Sequence, residues 1–302
     1  MNEAAAKAPP AGAEATVRRG IGLCLLAMLV FASQDAITKV LVQEFAVAQF
    51  LMLRYWLFLA FALGYAHWRG GIVAAARTRH PWLQLLRSLL SVGEIAIFAL
   101  GLRYLGLAES HALFAVFPLL AMALAGVVLG EFIGLRRWLA AAVGFLGTLI
   151  ILRPGLDLFE SAALIPLSAA LAFAVYNLVT RLVSREDGFT TNMLYMAAVG
   201  AVASTIFGLP VWQAPSPGEW GLMGVLSVSG VFAHLLLVKA LEYAPAGVLQ
   251  PFNYSLLVFA MFIGLLVFGE FPDAWTLVGA ALVVTGGFYA IGASTFRKQS
   301  TV

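Results

Sequence analysis

Residues 128–132 read Val-Leu-Gly-Glu-Phe, and residues 267–271, which lie 139 positions later, read Val-Phe-Gly-Glu-Phe. Tyr104 and Tyr243 are related by the same offset, without a gap. A second stretch, Phe-Ala-Ser-Gln-Asp-Ala-Ile-Thr-Lys at 31–39, returns as Phe-Ala-Val-Tyr-Asn-Leu-Val-Thr-Arg at 173–181. Apolar residues match by chance in a hydrophobic chain, but Tyr and Gly-Glu-Phe pairs at one fixed offset are harder to dismiss. The pattern predicts two related halves.

The composition of the chain is that of a membrane protein. Of its 302 residues, 62% are hydrophobic and only 11% are charged, and the mean hydropathy is +0.94. Soluble domains average roughly 45–50% apolar and 25% charged residues. A soluble fold of this composition would expose large apolar surfaces, which aggregate unless a bilayer covers them. The sequence therefore predicts a membrane protein with short loops and no sizeable domain outside the bilayer.

Apolar windows separated by helix breakers divide the chain into ten candidate spans. Their length and their Ala, Leu, Phe, Gly and Val content favour helices over barrel strands, which would alternate apolar and polar residues. The windows fall near 20–42, 47–68, 82–103, 107–130, 137–152, 160–183, 190–211, 219–239, 247–269 and 274–293.

The basic residues predict the orientation of these spans. In a ten-span chain, 14 of the 18 Lys and Arg residues fall on the side of the termini and four on the other side. Such a bias marks the cytosolic side, so both termini are predicted to be cytosolic. Five spans per half is an odd number, so the two halves must have opposite orientations. We therefore predict an all-α polytopic membrane protein of ten transmembrane helices, in two inverted five-helix repeats at 17–155 and 156–296. Tails at 1–16, which is expected to be disordered, and 297–302 flank them.

Several other function classes lack support in the sequence. The net charge of +3 is spread over short loops, which disfavours a nucleic-acid partner. Cys24 is the single cysteine, and the four histidines are scattered, so no metal site or cofactor is predicted. No phosphate-binding loop of the form G-x-x-x-x-G-K-[ST] occurs. Ser227 and Ser229 precede His234 on one predicted helix, which is a poor arrangement for nucleophilic catalysis. No catalytic residue is predicted, and the chain is not expected to be an enzyme.

The chain resembles the EamA-type drug/metabolite transporter family in two segments, one in each half. The first runs from Ala99-Leu-Gly-Leu-Arg-Tyr104 to Gly130-Glu131, and the second from Lys239-Ala-Leu-Glu-Tyr243 to Gly269-Glu270. Within that family the sequence looks most similar to bacterial exporters of aromatic and other amino acids. The resemblance implies ten helices, an inverted repeat, a central cavity lined mainly by spans 1, 3, 4, 6, 8 and 9, and export across the inner membrane. Two differences between the halves, Gly101 against Ala240 and Pro118 against Leu257, leave the helix bends undetermined.

Ionisable groups within the spans are the first candidates for a substrate site, because an ionisable group in the bilayer needs a partner or an aqueous cavity. Glu94 lies in the middle of span 3, and His234 lies at nearly the same level of span 8, so the two could face each other. Asp35 and Lys39 are four residues apart and could form a salt bridge along one helix face. Arg54 lies near the outer end of span 2 and is expected to reach the headgroups.

The remaining candidates are polar or aromatic residues at related levels of the two halves. Aromatic walls and fixed polar groups together suit a zwitterion with an aromatic side chain. The predicted substrate-binding residues are Gln34, Asp35, Glu94, His111, Phe114, Phe117, Tyr176, Asn177, His234, Gln250, Asn253 and Tyr254.

These observations predict a secondary transporter that exports small organic metabolites, including aromatic amino acids, by alternating access between the halves. An exporter of drugs or other metabolites, or an antiporter of the same superfamily, is the alternative, and an intramembrane enzyme is the distant one. The lipid bilayer and a small-molecule substrate are the predicted partners. The physiological substrate, the energy coupling and the oligomeric state are left open by the sequence.

Overall fold

The computed structural model describes residues 11–129, 135–152, 161–244 and 249–299, and within these ranges the protein is helical and contains no strand. The first half comprises α1 (Ala11–Glu44), α2 (Val47–Arg69), α3 (Ile72–Ala76), α4 (Pro81–Gly101), α5 (Leu107–Phe114), α6 (Phe117–Leu129) and α7 (Leu135–Leu152). The second half comprises α8 (Leu164–Val183), α9 (Phe189–Gly208), α10 (Pro217–Tyr243), α11 (Ser255–Phe268) and α12 (Ala274–Gln299). Short 3-10 helices occupy Ser161–Ala163, Leu209–Val211 and Gln250–Tyr254.

Within the described ranges, seven helical segments are long and apolar enough to cross a membrane, so the protein is a multi-pass membrane protein. These segments are Thr16–Glu44, Val47–Arg69, Pro81–Gly101, Leu107–Val128, Ser161–Val183, Phe189–Val211 and Pro217–Leu237. Three shorter apolar helical segments follow the same order as the remaining windows, at Ala142–Ile151, Phe252–Phe268 and Ala274–Gly286. The membrane class and the helical fold are confirmed, whereas the count of ten spans and the inversion of the halves stay predictions.

The main helix packing joins the first half to the second. α1 packs on α10 and α4 on α8, while α2 packs on α9 and α7 on α12. The sequence repeat relates α1 to α8 and α4 to α10, so the α1–α10 and α4–α8 contacts are equivalent under the predicted pseudo-twofold symmetry of the halves. The α2–α9 and α7–α12 contacts each join a helix to its own counterpart, so they lie on the predicted pseudo-twofold axis. The side chains between paired helices therefore belong to both halves.

Two predicted spans are interrupted rather than continuous. The window 107–130 is divided between α5 and α6 at residues 115–116, and in the described part of the window 247–269 the 3-10 helix Gln250–Tyr254 precedes α11. A proline near each break explains the interruption, because Pro118 and Pro251 have no N–H to donate to a carbonyl four residues earlier. The interruptions bring His111 and Asn253 close to irregular backbone.

The helices extend further at both termini than the sequence indicated. α1 begins at Ala11, within the segment expected to be a disordered tail, and α12 runs to Gln299, past the predicted end of the second repeat. Residues 1–10 and 300–302 lie outside the described part of the chain.

Glycines allow α7 and α12 to approach backbone to backbone. A Cβ on Gly147 would lie 2.6 Å from the Gly279 carbonyl oxygen, and one on Gly279 would lie 2.5 Å from the Gly147 oxygen. We expect Gly147→Ala to force the helices apart and to lower the free energy of unfolding by about 1–3 kcal/mol. Thermal unfolding in detergent measures the effect. Gly64→Ala is the matched control, because nothing lies within 4 Å of its Cβ, and its midpoint should not fall.

Candidate functional site

Lys39 forms an ion pair with Glu270 that links α1 to the end of α11. The Lys39 Nζ lies 2.5 Å from Glu270 Oε1 and donates to the Leu105 carbonyl oxygen at 3.0 Å. The other carboxylate oxygen of Glu270 accepts the backbone N–H of Leu107 at 3.2 Å. The predicted salt bridge between Asp35 and Lys39 is therefore wrong, since Lys39 turns towards the second half of the chain. We call this end of the bundle the Glu270 end.

Asp35 pairs instead with a histidine of α5. Its Oδ2 lies 3.1 Å from Nε2 of His111, whose side chain is buried. Asp35 itself keeps about a quarter of its side chain accessible, at 24%. The structure thus joins two of the predicted site residues, which are 76 positions apart in sequence, into one acid–base pair.

An aromatic ladder begins at His111 and follows the interface between the halves. It consists of Phe98, Phe114, Phe117, Phe173 and Tyr176. The His111 ring lies 5.0 Å from Phe98, and Phe98 lies 5.0 Å from Phe114. Phe173 lies 5.6 Å from Phe114 and 4.7 Å from Phe117, and it stacks on Tyr176 at 5.6 Å. Ring pairs at such separations attract each other, and Phe114, Phe117, Phe173 and Tyr176 are half-buried.

Arg87 ends the ladder opposite the Asp35–His111 pair. Its guanidinium lies over the Tyr176 ring, 5.7 Å from the centroid, and donates to the Tyr176 hydroxyl at 3.4 Å. It also donates to Gln84 Oε1 at 3.2 Å and to the Asn192 carbonyl oxygen. Gln84 in turn donates to Asp187 at 2.8 Å. We call this the Asp187 end, and the charge distribution of the sequence predicts that it faces the cytosol.

A polar subsite lies between α1, α2 and α10, and it consists of Gln34, Arg54, Gly230 and His234. A Cβ on Gly230 would lie 3.3 Å from both Arg54 Nε and Gln34 Oε1, so both side chains approach α10 at Gly230. His234 Nδ1 lies 2.8 Å from the Gly230 carbonyl oxygen. The expectation that Arg54 reaches the headgroups is wrong, because its guanidinium lies within the helix bundle.

Glu94 does not meet His234 as the sequence suggested. The His234 ring contacts Phe31 and Phe58, with centroids at 5.2 and 6.3 Å. Glu94 is buried within electrostatic range of Asp35 and Arg54. Arg54 is the charged neighbour that Glu94 and His234 share. The prediction of a facing pair is wrong, but both residues border the same region.

The other predicted site residues have local roles. Asn177 donates to the Phe173 carbonyl oxygen of its own helix at 2.7 Å, which fixes the amide along α8. Asn253 accepts from the Cys24 thiol at 3.5 Å, and Tyr254 packs in a buried cluster with Ala115 and Val283. The side chain of Gln250 lies outside the described part of the structure.

Sequence reasoning missed several residues that the structure brings to the site. In the sequence, Phe173 is distinguished only as the first residue of the repeated stretch 173–181, whose counterpart Phe31 lies against His234. The charge count assigns Arg87 to the topology signals, but its position six residues into an apolar helix indicates burial. No pattern marked Phe98, because a single Phe in an apolar helix is unremarkable.

No cluster of three or more possible metal ligands occurs among the residues that the structure describes. The Asp35–His111 pair is two residues short of the four that a structural zinc site requires.

Comparisons with known proteins agree with this architecture. The sequence model of the EamA-like transporter family matches residues 18–153 and again residues 160–291. The riboflavin transporter of Vibrio cholerae is 33% identical over 216 residues, which cover 71% of this chain and 72% of that protein. The S-adenosylmethionine uptake transporter of Rickettsia prowazekii is 26% identical over 276 residues, covering 91% and 93%. The pseudopaline exporter CntI of Pseudomonas aeruginosa is 24% identical over 270 residues, covering 89% and 94%.

A crystal structure of another protein shares the fold. It covers 96% of this chain and 99% of its own, with a TM-score of 0.61 and 17% identity. The relatives are named as transporters of small metabolites, one for uptake and one for export. None of these names indicates amino acids as the substrate. Two matches to one family model, which together span nearly the whole chain, place this small-metabolite transporter in the EamA-like transporter family.

Proposed function

We propose that the protein carries a small metabolite with a planar aromatic ring across the inner membrane by alternating access between its halves. The aromatic ladder is the observation that supports this proposal. It lies between helices of both halves and has Asp35 and His111 at one end and Arg87 at the other. A flat ring can stack on the ladder, while its polar substituents reach the charged groups at the two ends.

Alternating access requires that the two halves separate first at one end and then at the other. Polar contacts join the halves at both ends, through Lys39 and Glu270 at one end and through Gln84 and Asp187 at the other. The positive-inside bias supports an inner-membrane orientation with both termini in the cytosol.

Export of aromatic amino acids is the narrower proposal that the sequence suggested. Asp35 supports it, because a partly accessible carboxylate can bind an ammonium group. Riboflavin and S-adenosylmethionine are the competing substrates, since relatives are named for them. All three compounds contain an aromatic ring, so one assay compares them.

The proposal predicts saturable flux of at least one of these compounds through the purified protein in liposomes. Labelled phenylalanine, riboflavin and S-adenosylmethionine are tested in both directions, with and without a pH gradient, and labelled alanine is the non-aromatic comparator. Phe173→Leu keeps the bulk of the side chain but removes its ring, so KM should rise about threefold or more. Phe262→Leu, on the exposed face of α11, should leave KM unchanged. The absence of flux for all three aromatic compounds contradicts the proposed function.

A further inference from the structure

Gln34 is a buried amide that lacks a hydrogen-bond partner. Its residue is only 2% exposed, and neither amide atom has a partner among the residues that the structure describes. Leaving a buried polar group unpaired costs about 1–3 kcal/mol, so native structures rarely retain one without a reason. Its oxygen lies against Gly230, which the guanidinium of Arg54 also approaches. A ligand that reaches the polar subsite would satisfy the amide.

The hydrogen-bonding pattern of the polar subsite follows from its three side chains. Arg54 offers only donors, and Gln34 offers one acceptor and two donor hydrogens. A carbonyl oxygen only accepts, so the His234 Nδ1 that lies 2.8 Å from the Gly230 oxygen carries the proton. In the neutral ring, Nε2 of His234 is therefore an acceptor. The subsite combines donors from two residues with acceptors from two.

The acceptors of the subsite favour a neutral ligand group with an N–H over an anion. A carboxylate only accepts hydrogen bonds, so it would leave Gln34 Oε1 and His234 Nε2 without a donor. The buried side chain of Glu94, which lies within electrostatic range of Asp35 and Arg54, borders the same region.

We propose that the polar subsite binds the edge of a neutral cyclic imide, in which an N–H group is flanked by two carbonyls. Arg54 and the Gln34 amide nitrogen donate to the two carbonyls, and Gln34 Oε1 accepts from the N–H. Phe31 and Phe58, whose rings lie beside His234, form the apolar walls for the heterocycle. The inference rests on the proposed function and narrows it to planar heterocycles that contain an imide.

Binding of riboflavin and of N3-methylriboflavin to the purified protein in detergent tests the inference, because the methyl group replaces the imide hydrogen. Wild-type protein should bind riboflavin about tenfold more tightly than the methylated compound. Gln34→Leu should weaken binding of riboflavin about tenfold more than binding of the methylated compound, because only riboflavin also loses the hydrogen bond from its N–H, so that the ratio approaches one. Gln34→Met serves if the leucine variant does not fold, and Phe262→Leu should keep the wild-type ratio.

The outcomes separate this inference from the proposed function. Equal affinity of the wild type for both flavins, or a ratio that Gln34→Leu and Gln34→Met leave intact, overturns the imide subsite alone. If the protein binds neither flavin but transports phenylalanine or S-adenosylmethionine in liposomes, the imide subsite is overturned, and the proposed transport of aromatic metabolites still stands. Absence of flux for every aromatic compound contradicts the proposed function itself, whatever the flavins do.

Discussion

Replacing Glu270 with Gln should open the Glu270 end of the bundle and lower the stability of the protein. The Lys39 side chain is only 10% exposed, and Glu270 is its ion-pair partner. Removing one partner of a buried pair leaves an uncompensated charge, which costs about 3–5 kcal/mol when both groups are buried. Glu270 is partly accessible, so we expect a loss of about 2 kcal/mol. Thermal unfolding in detergent measures this loss.

The same variant should make the helix interface below the ion pair accessible. Ala36 lies one turn before Lys39, in a buried cluster with Leu102 and Leu107. The natural Cys24 is buried, so a thiol introduced by Ala36→Cys can be followed with an impermeant maleimide. Labelling should be slow in the otherwise wild-type protein and several-fold faster with Glu270→Gln.

The double variant Lys39→Met/Glu270→Met tests whether the unpaired charge is the cause. An apolar pair of similar volume often replaces a buried ion pair at little cost, so the double variant should be more stable than Glu270→Gln.

Glu186→Gln is the surface control at the opposite end. Hydrogen bonds from His80 and Arg79 hold the pKa of the exposed Glu186 carboxyl below its ordinary value, so this variant also removes a charge. Unchanged labelling and stability in Glu270→Gln would show that the pair does not close this end.

Replacing Arg87 with Met should be the most destabilising change at the opposite end. Arg87 is only 2% exposed, and its guanidinium donates to Gln84, Tyr176 and the Asn192 carbonyl. Its loss takes a hydrogen bond from each of three acceptors, of which Gln84 is buried, and removes the cation from the Tyr176 ring, which should cost about 3–5 kcal/mol. The midpoint of thermal unfolding should fall accordingly. Arg87→Lys should recover only part of the loss, since an ammonium cannot reproduce the planar fork.

The matched control for Arg87 is Arg79→Met. Arg79 lies eight positions earlier in the sequence, its side chain is 82% exposed, and it forms an ion pair with Glu186. Exposed ion pairs contribute little, so this variant should unfold at the wild-type temperature. If Arg87→Met and Arg79→Met had the same midpoint, the buried network would not stabilise the Asp187 end.

The fold was largely predictable from sequence because hydropathy in a membrane protein records which segments meet lipid. The windows around Pro81–Gly101 and Phe189–Val211 coincide with helices to within a few residues. The window 107–130 contains a break that hydropathy cannot reveal, since Ala115 and Val116 are as apolar as their neighbours. The start of α1 at Ala11 was missed because the Ala-rich residues before the first apolar window are less hydrophobic than a membrane span, although alanine favours a helix.

The site was predictable only as a set of polar residues at depth. Gln34, Asp35, His111 and His234 were identified because a polar side chain in the bilayer needs a partner. Their partners were assigned wrongly wherever the assignment used proximity in sequence. Asp35 and Lys39 lie one turn apart on α1, yet each pairs with a residue of another helix.

The sequence by itself determined that this chain crosses a membrane, that its halves are related and that it belongs among transporters, since composition, period and motif need no knowledge of contacts. Only the tertiary structure decided that Lys39 meets Glu270, that Arg54 and Gln34 meet at Gly230, and that five aromatic rings form a ladder ending at Arg87. The physical reason is that a helix presents side chains on every face. Helix packing and rotation, which have no local signature, select the faces that meet.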